Sequence, residues 1–258
     1  MSQWVFLRGL SRDSRHWGDF PDTFRQVLPD ATVLAIDLPG NGSLHAMDSP
    51  STVEQMAEFC RAQLAQRGLA PPYRLLAMSL GAMVAVDWAS RHPEEIDACV
   101  LINTSLHPFS PFYHRLRPKN YPVLLKLALF GGGDRAWDAT ILRLTSHLVR
   151  SPATVLERWT AYRQACPVAR RNVLRQLLAA ARYRAPLARP LTRVLVLSSA
   201  RDTLVDARCS QQLAARWQAQ LAEHPAAGHD LPLDDGPWVA QQIKEWLEEG
   251  CAPQEEGR

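Results

Sequence analysis

Leu75-Leu76-Ala77-Met78-Ser79-Leu80-Gly81-Ala82 decides the fold of this chain. It joins an apolar run to a second one, Met83-Val84-Ala85-Val86-Asp87-Trp88-Ala89, with a serine at the junction and small residues two places to either side. The run reads as a buried strand, a sharp turn and a helix, with Ser79 at the apex. A tight strand-to-helix turn holds a hydroxyl out of the sheet on a strained backbone, and only small neighbours such as Ala77 and Gly81 fit beside it. The helix that follows turns its first free N–H groups toward the space above Ser79, which favours negative charge there. An ordinary buried turn serine has the same local pattern, because Ala-x-Ser-x-Gly recurs by chance. The rest of the chain has to separate the two.

On either side of that junction, short apolar runs alternate with helical patterns. Strands are expected at Trp4 to Leu7, Ala31 to Ile36, Tyr73 to Met78 and Ala98 to Asn103. Helices are expected at Phe20 to Leu28, from a Ser51/Glu54 capping box to about Gln66 with Gly68 ending it, and at Leu80 to Arg91, stopped by His92-Pro93. Such alternation demands a mostly parallel sheet with helices on both faces. From about Ser105 to Leu191 the strands disappear. Consecutive helices are read there at Tyr121 to Phe130, Ala136 to Val149, Ala153 to Gln164 and Val168 to Tyr183, punctuated by Gly131-Gly132-Gly133, Ser151-Pro152 and Cys166-Pro167. The sheet resumes with Arg193 to Ser198, a helix near Ala207 to Trp217, a strand near Gln220 to His224 and a closing helix from Pro237 to Glu248. An all-helical block between two strands of such a sheet is a lid or cap. The expected division is therefore an α/β core from residues 1–106 and 191–250, a helical cap insertion at 107–190 and a flexible tail at 251–258.

Bulk properties agree with one globular domain carrying an insertion, since 258 residues of which 47% are hydrophobic suffice for a sizeable core. The five cysteines, Cys60, Cys99, Cys166, Cys209 and Cys251, are scattered without CxxC or metal-ligand spacing. Neither a disulfide framework nor a zinc site is expected, and a cytoplasmic location fits. Met1 to Gly9 enters an apolar run at once, without a basic region or cleavage site, so no signal peptide is expected. The stretch Tyr121 to Phe130 is broken by Lys126 and is too short to span a bilayer. A net charge of +3 hides an asymmetry: between His107 and Pro190 fifteen Lys/Arg face three acids, a surplus of twelve that leaves the remainder at −9. A basic face of that size attracts an anionic substrate, an acidic protein or nucleic acid, although arginines are also good helix formers on a solvated face.

A serine hydroxyl is a poor nucleophile at neutral pH, so Ser79 needs a base and a group to orient that base. In open parallel sheets such groups sit beyond the carboxyl ends of the strands. Asp202 follows the strand Val194 to Ser198, and His229, in Gly228-His229-Asp230, follows the last strand. The order Ser, Asp, His, each at a strand exit, is the one this architecture requires. Asp206 follows the same strand as Asp202 but lies at the next helix start, and His224 falls inside a strand pattern. His107 and His114 stand at the entrance to the helical block and read as exposed loop residues. Asp37 reads as a loop-structuring residue, since no cofactor motif surrounds it, and no metal-binding motif is present.

With these residues in view, nearly the whole chain resembles the α/β-hydrolase superfamily of serine hydrolases with a helical cap. Beyond Ser79, the resemblance rests on Leu7-Arg8-Gly9-Leu10 with Trp17 downstream, on Asp37-Leu38-Pro39-Gly40-Asn41-Gly42-Ser43, and on Gly228-His229-Asp230. It implies a six-stranded, mostly parallel sheet lacking the family's first two strands. It also implies that Ser79 is the nucleophile, His229 the general base and acid, and Asp202 the orienting carboxylate. The backbone N–H groups of Leu10 and Leu80 would form the oxyanion hole, worth about 3 kcal/mol per donor. Two residues depart from the pattern: Arg8 stands where relatives carry His, and Ala77 where they carry Gly.

Three function classes follow. The first is hydrolysis of a carboxylic ester or thioester through an acyl-serine intermediate, without cofactor. The second is lyase or carbon–carbon chemistry with the same triad. The third is a non-catalytic binding module, for which a lost triad would be expected, whereas all three members are present. The arginine-rich cap resembles that of carboxylesterases of the biotin-pathway carrier methyl esterase type. An acidic carrier protein is therefore a candidate partner beside a small ester or thioester, with no nucleic acid and no membrane span expected.

Overall fold

The computed structural model describes residues 2–130 and 133–249. Strands β1 (Ser2–Leu7), β2 (Ala31–Ile36), β3 (Tyr73–Met78), β4 (Ile96–Ile102), β5 (Arg193–Ser199) and β6 (Gln220–His224) form one sheet in the order β2-β1-β3-β4-β5-β6. Every neighbouring pair is parallel. All carboxyl ends therefore share one edge, and the strand order reverses between β1 and β3, the point at which open sheets of this kind bind their ligands.

The four central strands are buried on both faces, which is why they read as near-continuous apolar runs, whereas the edge strand β6 is largely exposed. Along β1, Val5 and Leu7 face one core together with Leu75, Ala77, Leu101 and Val196, while Trp4 and Phe6 face the other with Leu76, Met78, Val100 and Leu197. Helices α2 (Val53–Gln66), α3 (Leu80–Arg91) and α9 (Arg208–Trp217) cover the first face, contributing Met56, Leu64, Trp88, Leu213 and Trp217. Helices α1 (Phe20–Val27) and α10 (Leu231–Glu249) cover the second, where Phe6 meets Trp17, Phe20 and Phe24 at ring-centroid distances of 5.1, 5.7 and 5.2 Å.

Between β4 and β5 the described regular elements are all helices: α4 (Phe112–Arg115), α5 (Tyr121–Phe130), α6 (Asp134–Thr145), α7 (Pro152–Ala165) and α8 (Arg170–Arg182), with one isolated β-bridge between His107 and Arg184. Two fully buried amides on α8 tie this segment to the loops after β1 and β2. Asn172 accepts from Ser49 N and donates to the Met47 carbonyl, both at 2.9 Å. Gln176 accepts from Ser11 N at 2.8 Å and donates to Asn41 Oδ1 at 2.9 Å.

Three expectations need correction, and the residues read as a tail, 251–258, lie outside the described residues together with Gly131 and Gly132. The cap of α2 is Thr52, whose side chain accepts from Gln55 N, not the Ser51/Glu54 box. Burial of Val53, Met56, Ala57, Cys60 and Leu64 sets the helix phase one residue later. The closing helix begins at Leu231, with a non-helical Asp235 (φ −150°, ψ 73°) inside it, so Pro237 opens only its second half, where Asp235 Oδ1 accepts from Trp238 N. Finally, α6 stops at Thr145 rather than Val149, leaving an irregular turn before α7.

Candidate active site

Ser79 sits between β3 and α3 with φ 54° and ψ −116°, a left-handed backbone that only a tightly held turn maintains in a residue with a side chain. Its N–H donates to the Ile102 carbonyl at 3.0 Å, and its carbonyl accepts from Thr104 Oγ1 at 3.2 Å, so the end of β4 fixes the turn. Close packing explains the small neighbours. A Cβ at Gly81 would stand 2.5 Å from the Leu7 carbonyl oxygen and 2.7 Å from that of Arg8, and one at Gly9 would stand 3.2 Å from Ser79 Cβ. Ala77, where the family pattern has Gly, is accommodated in the first core with no exposed surface. The loop carrying Gly9 and Leu10 is thus pressed against the serine turn. Among the described residues, neither Leu10 N–H nor Leu80 N–H has a hydrogen-bond acceptor.

Asp202 and His229 are brought together from the ends of β5 and β6. His229 Nδ1 lies 2.6 Å from Asp202 Oδ2, with both side chains buried. That contact puts the ring proton on Nδ1 and leaves Nε2 as the basic nitrogen. The other carboxylate oxygen, Oδ1, accepts from Leu204 N at 2.8 Å and Val205 N at 2.9 Å, which fixes the acid's orientation. Among the described residues no hydrogen bond joins Ser79 Oγ to His229. A hydroxyl, a basic imidazole nitrogen and a buried carboxylate at the carboxyl ends of strands of one parallel sheet are the groups that acyl transfer uses.

Two supports escaped the sequence. Asn103, at φ 44°, donates through Nδ2 to the His229 carbonyl (2.8 Å) and to Ser199 Oγ (2.9 Å), while its Oδ1 accepts from Ser199 N (2.9 Å). It clasps the ends of β4 and β5 to the His229 loop. Its only sequence signal was its place at a strand exit. The second support explains the Arg8 departure. The Arg8 guanidinium forms a buried bidentate pair with Asp230, at 3.0 Å to Oδ1 and 2.6 Å to Oδ2, and lies 4.8 Å from the Trp17 ring centroid. Burial alone would push the Asp230 carboxyl up, but the charge and hydrogen bonds of Arg8, aided by Arg12 and His229, hold it below the ordinary carboxylate range. One ion pair therefore joins the residue before Gly9 to the residue after His229.

Beside it, Arg12 stacks 3.8 Å from the Trp159 ring centroid and shares Asp138 with Arg163. Burial, which outweighs the pull of Asp138 and Asp230 and is aided by repulsion from Arg8 and Arg163, lowers Arg12 to about 10. Arg12 Nη1 lies 3.0 Å from His16 Nε2, and burial, followed by that cation, pulls His16 down to about 4, so the ring is neutral, with Nδ1 beside both the N–H and the carboxylate of Asp13.

The alternative residues stand elsewhere. Asp206 pairs with Arg208 and Arg117, and the hydrogen bonds from Arg208 hold its carboxyl far down despite partial burial. His224 bonds to Asp235 and accepts from Ala227 N. Asp37 accepts from Ser14 N, Ser43 N and Ser43 Oγ, which makes it the loop-structuring residue expected. His107 and His114 are half-buried rather than exposed. Among the described residues the only grouping with metal-ligand proximity is His92, Glu94 and Glu95 on the surface at the far end of α3. Both oxygens of Glu95 accept from Arg61, and His92 bonds to Glu58, so these donors are already engaged.

A strained serine turn at the strand-order reversal, with a carboxylate–imidazole pair at later strand ends, defines a hydrolase of the α/β type. The chain belongs to the alpha/beta hydrolase family, whose model matches residues 4–242. It is 33% identical over 105 residues to the biotin biosynthesis bifunctional protein BioHC of Teredinibacter turnerae, a match covering 39% of this chain and 17% of that protein. It is 31% identical over 90 residues to a pimeloyl-[acyl-carrier protein] methyl ester esterase of Chromobacterium violaceum, covering 35% of this chain and 33% of that one. The matched stretches thus span a third or less of these curated relatives. Among solved structures, the enol-lactonase of Burkholderia xenovorans LB400 superposes with a TM-score of 0.77 at 18% identity, covering 96% of this chain and 91% of that one. A thermophilic esterase of Thermogutta terrifontis superposes with a TM-score of 0.74 at 21% identity, covering 96% and 90%. The protein is an enzyme of the hydrolase class.

Proposed function

We propose that this hydrolase cleaves a carboxylic ester or thioester through an acyl-serine intermediate. The observation that carries the reading is the buried 2.6 Å contact between His229 Nδ1 and Asp202, which leaves Nε2 basic at the strand edge where Ser79 sits half-buried on its turn. Ser79 Oγ attacks the acyl carbon as its proton passes to His229 Nε2. The oxyanion is held by the N–H groups of Leu10 and Leu80, and collapse expels the alcohol or thiol with the proton from His229. Water, deprotonated by the same nitrogen, then releases the acid and restores Ser79. Hydrogen bonds to the nucleophile commonly tighten only once substrate binds, so the absence of a direct Ser79–His229 bond is compatible with this. Residues 1–106 and 191–250 are read as the hydrolase core and 107–190 as its cap.

An anionic or carrier-bound substrate is the favoured class. Arg135, Arg143, Arg150, Arg170 and Arg182 are exposed on the helical segment and form no salt bridge among the described residues. They provide a field that an acidic carrier protein would satisfy. No described helix is long and apolar enough to cross a membrane, and the free cysteines fit a reducing cytoplasm.

A chain-length panel of nitrophenyl esters and acyl thioesters tests the reading. Ser79→Ala should lower kcat by at least about a thousandfold on the substrates that wild type accepts. Equal turnover by both proteins, or none by wild type, ends it. For the carrier, kcat/KM on an acyl-carrier substrate should fall steeply with salt while that on a nitrophenyl ester stays level. A level response for both removes the carrier.

A further inference from the structure

The last residues of α6 and the turn that follows lie against the backbone on both sides of Asp202 and on both sides of His229. Thr203 Oγ1 donates to the Leu144 carbonyl at 2.7 Å, and His147 Nε2 donates to the Arg201 carbonyl at 3.1 Å. The residues before and after Asp202 are thereby held. On the other loop, Asp230 N donates to the Thr145 carbonyl at 2.7 Å, and Gly228 N donates to Asp234 Oδ2 at 2.7 Å. The same Asp234 carboxylate accepts from His147 N at 3.0 Å and Leu148 N at 3.1 Å, so one side chain closes the turn onto the His229 loop. The fit is close: a Cβ at Gly228 would stand 2.6 Å from the Thr145 carbonyl oxygen.

We infer that Leu144 to Leu148 form a strap that sets the geometry of the Asp202–His229 pair, with His147 and Asp234 as its positioning residues. A dyad contact of 2.6 Å between two different loops survives only if both loops keep their spacing, and hydrogen bonds behind the reacting groups supply that constraint. The strap belongs to the helical segment, so a displacement of α6 reaches both loops at once. Neither residue touches the reacting atoms. His147 needs only its neutral Nε2–H tautomer to serve the Arg201 carbonyl. The inference rests on the proposed serine chemistry for its kinetic consequence and not for its structural one.

Two measurements on the full chain test it. With nitrophenyl acetate, His147→Ala and Asp234→Ala should each lower kcat about tenfold with KM changed less than about twofold. His147→Gln, whose amide nitrogen reaches the same carbonyl, should recover to within about threefold of wild type. Independently of turnover, the low-field proton resonance of His229 Nδ1 should shift or broaden in the alanine variants and return in His147→Gln. If Asp234→Ala does not fold, Asp234→Asn, which keeps one acceptor oxygen, should give a partial form of both effects. Unchanged kcat with an unchanged low-field resonance overturns the strap, as does His147→Gln no better than His147→Ala. A wild type inactive on every ester defeats the proposed reaction, and the resonance alone then decides the strap.

Discussion

Replacing Arg8 with methionine removes the only side chain that hydrogen-bonds the Asp230 carboxylate among the described residues, while both stay 3% exposed in the parent. Breaking a buried ion pair from one side typically costs about 3–5 kcal/mol, because a charge is left uncompensated. The cost has a ceiling, since Asp230 escapes by taking up a proton. Holding a carboxyl neutral at pH 7, about three units above its ordinary value, costs about 4 kcal/mol at about 1.4 kcal/mol per unit. That is a large share of the roughly 5–15 kcal/mol by which a domain is stable. The defect should therefore be about 4 kcal/mol at pH 7 and shrink by about 1.4 kcal/mol per unit as pH falls, reaching about 1.5 kcal/mol near pH 5.

Asp230→Asn should behave differently. It strands Arg8, whose guanidinium cannot give up its proton, so that defect stays level from pH 5 to 8. The double variant removes both charges and should be more stable than either single one. Urea unfolding of the four proteins at pH 5, 6, 7 and 8 reads all of this. In wild type the sign is fixed by the lowered Asp230 carboxyl. Its stabilisation is present above the unfolded value and is lost as pH falls through the folded one. An Arg8→Met protein within about 1 kcal/mol of wild type at pH 7, or single defects that simply add, would refute the reasoning.

Other substitutions probe the same frame. Gly81→Ala drives a methyl to 2.5 Å from the Leu7 carbonyl, where only backbone can yield, and should cost about 2–3 kcal/mol and lower ester turnover; an unchanged Tm contradicts the close approach. Burial, reinforced by Glu54 and opposed by Arg91, pushes Asp87 up to about 6, so the folded state loses stability as pH rises from about 4 to 6. Asp87→Asn should gain about 3 kcal/mol at pH 8 and nothing at pH 4, as chemical denaturation at the two pH values checks. His16, lowered to about 4 by burial and then Arg12, works in the opposite direction: its folded form binds fewer protons than the unfolded chain between about 4 and 6.5. Its contribution is complete above that window and lost on acidification. His16→Asn should flatten the stability slope there, and an unaltered slope rules out the neutral buried ring.

What was legible from the sequence is what local physics encodes. Strands β1 and β3 alternate between two cores, yet Trp4 to Leu7 and Leu75 to Met78 are apolar at every position, so the runs announce a sheet buried on both faces. Ser79, Asp202 and His229 were readable because each stands within a few residues of a strand's carboxyl end, and the topology does the rest. The helix phase at Thr52 was misread because Ser51 is by type the better cap and Glu54 completes a capping-box pattern with it. Only the burial of Val53 decides for Thr52, and burial is a tertiary fact.

The groups that hold the site in place lie beyond that reach for a definite reason. Arg8 and Asp230 are 222 residues apart, Asn103 and His229 are 126 apart, and His147 and Arg201 are 54 apart. None announces its partner, because an arginine at a strand exit and an asparagine in a loop each have many ordinary uses. Arg8 looked like a defect in a known motif. It is half of an ion pair whose other half is the residue after His229. A histidine at position 8 would be neutral for much of the physiological range and could not match the charge that Asp230 carries. Arg8 is therefore one half of a pair within this chain, and its test is the pair: Arg8→His should be tolerated only when Asp230 is neutralised as well. If Arg8→His alone retains both stability and turnover, the ion pair is incidental and the strand ends position His229 without it.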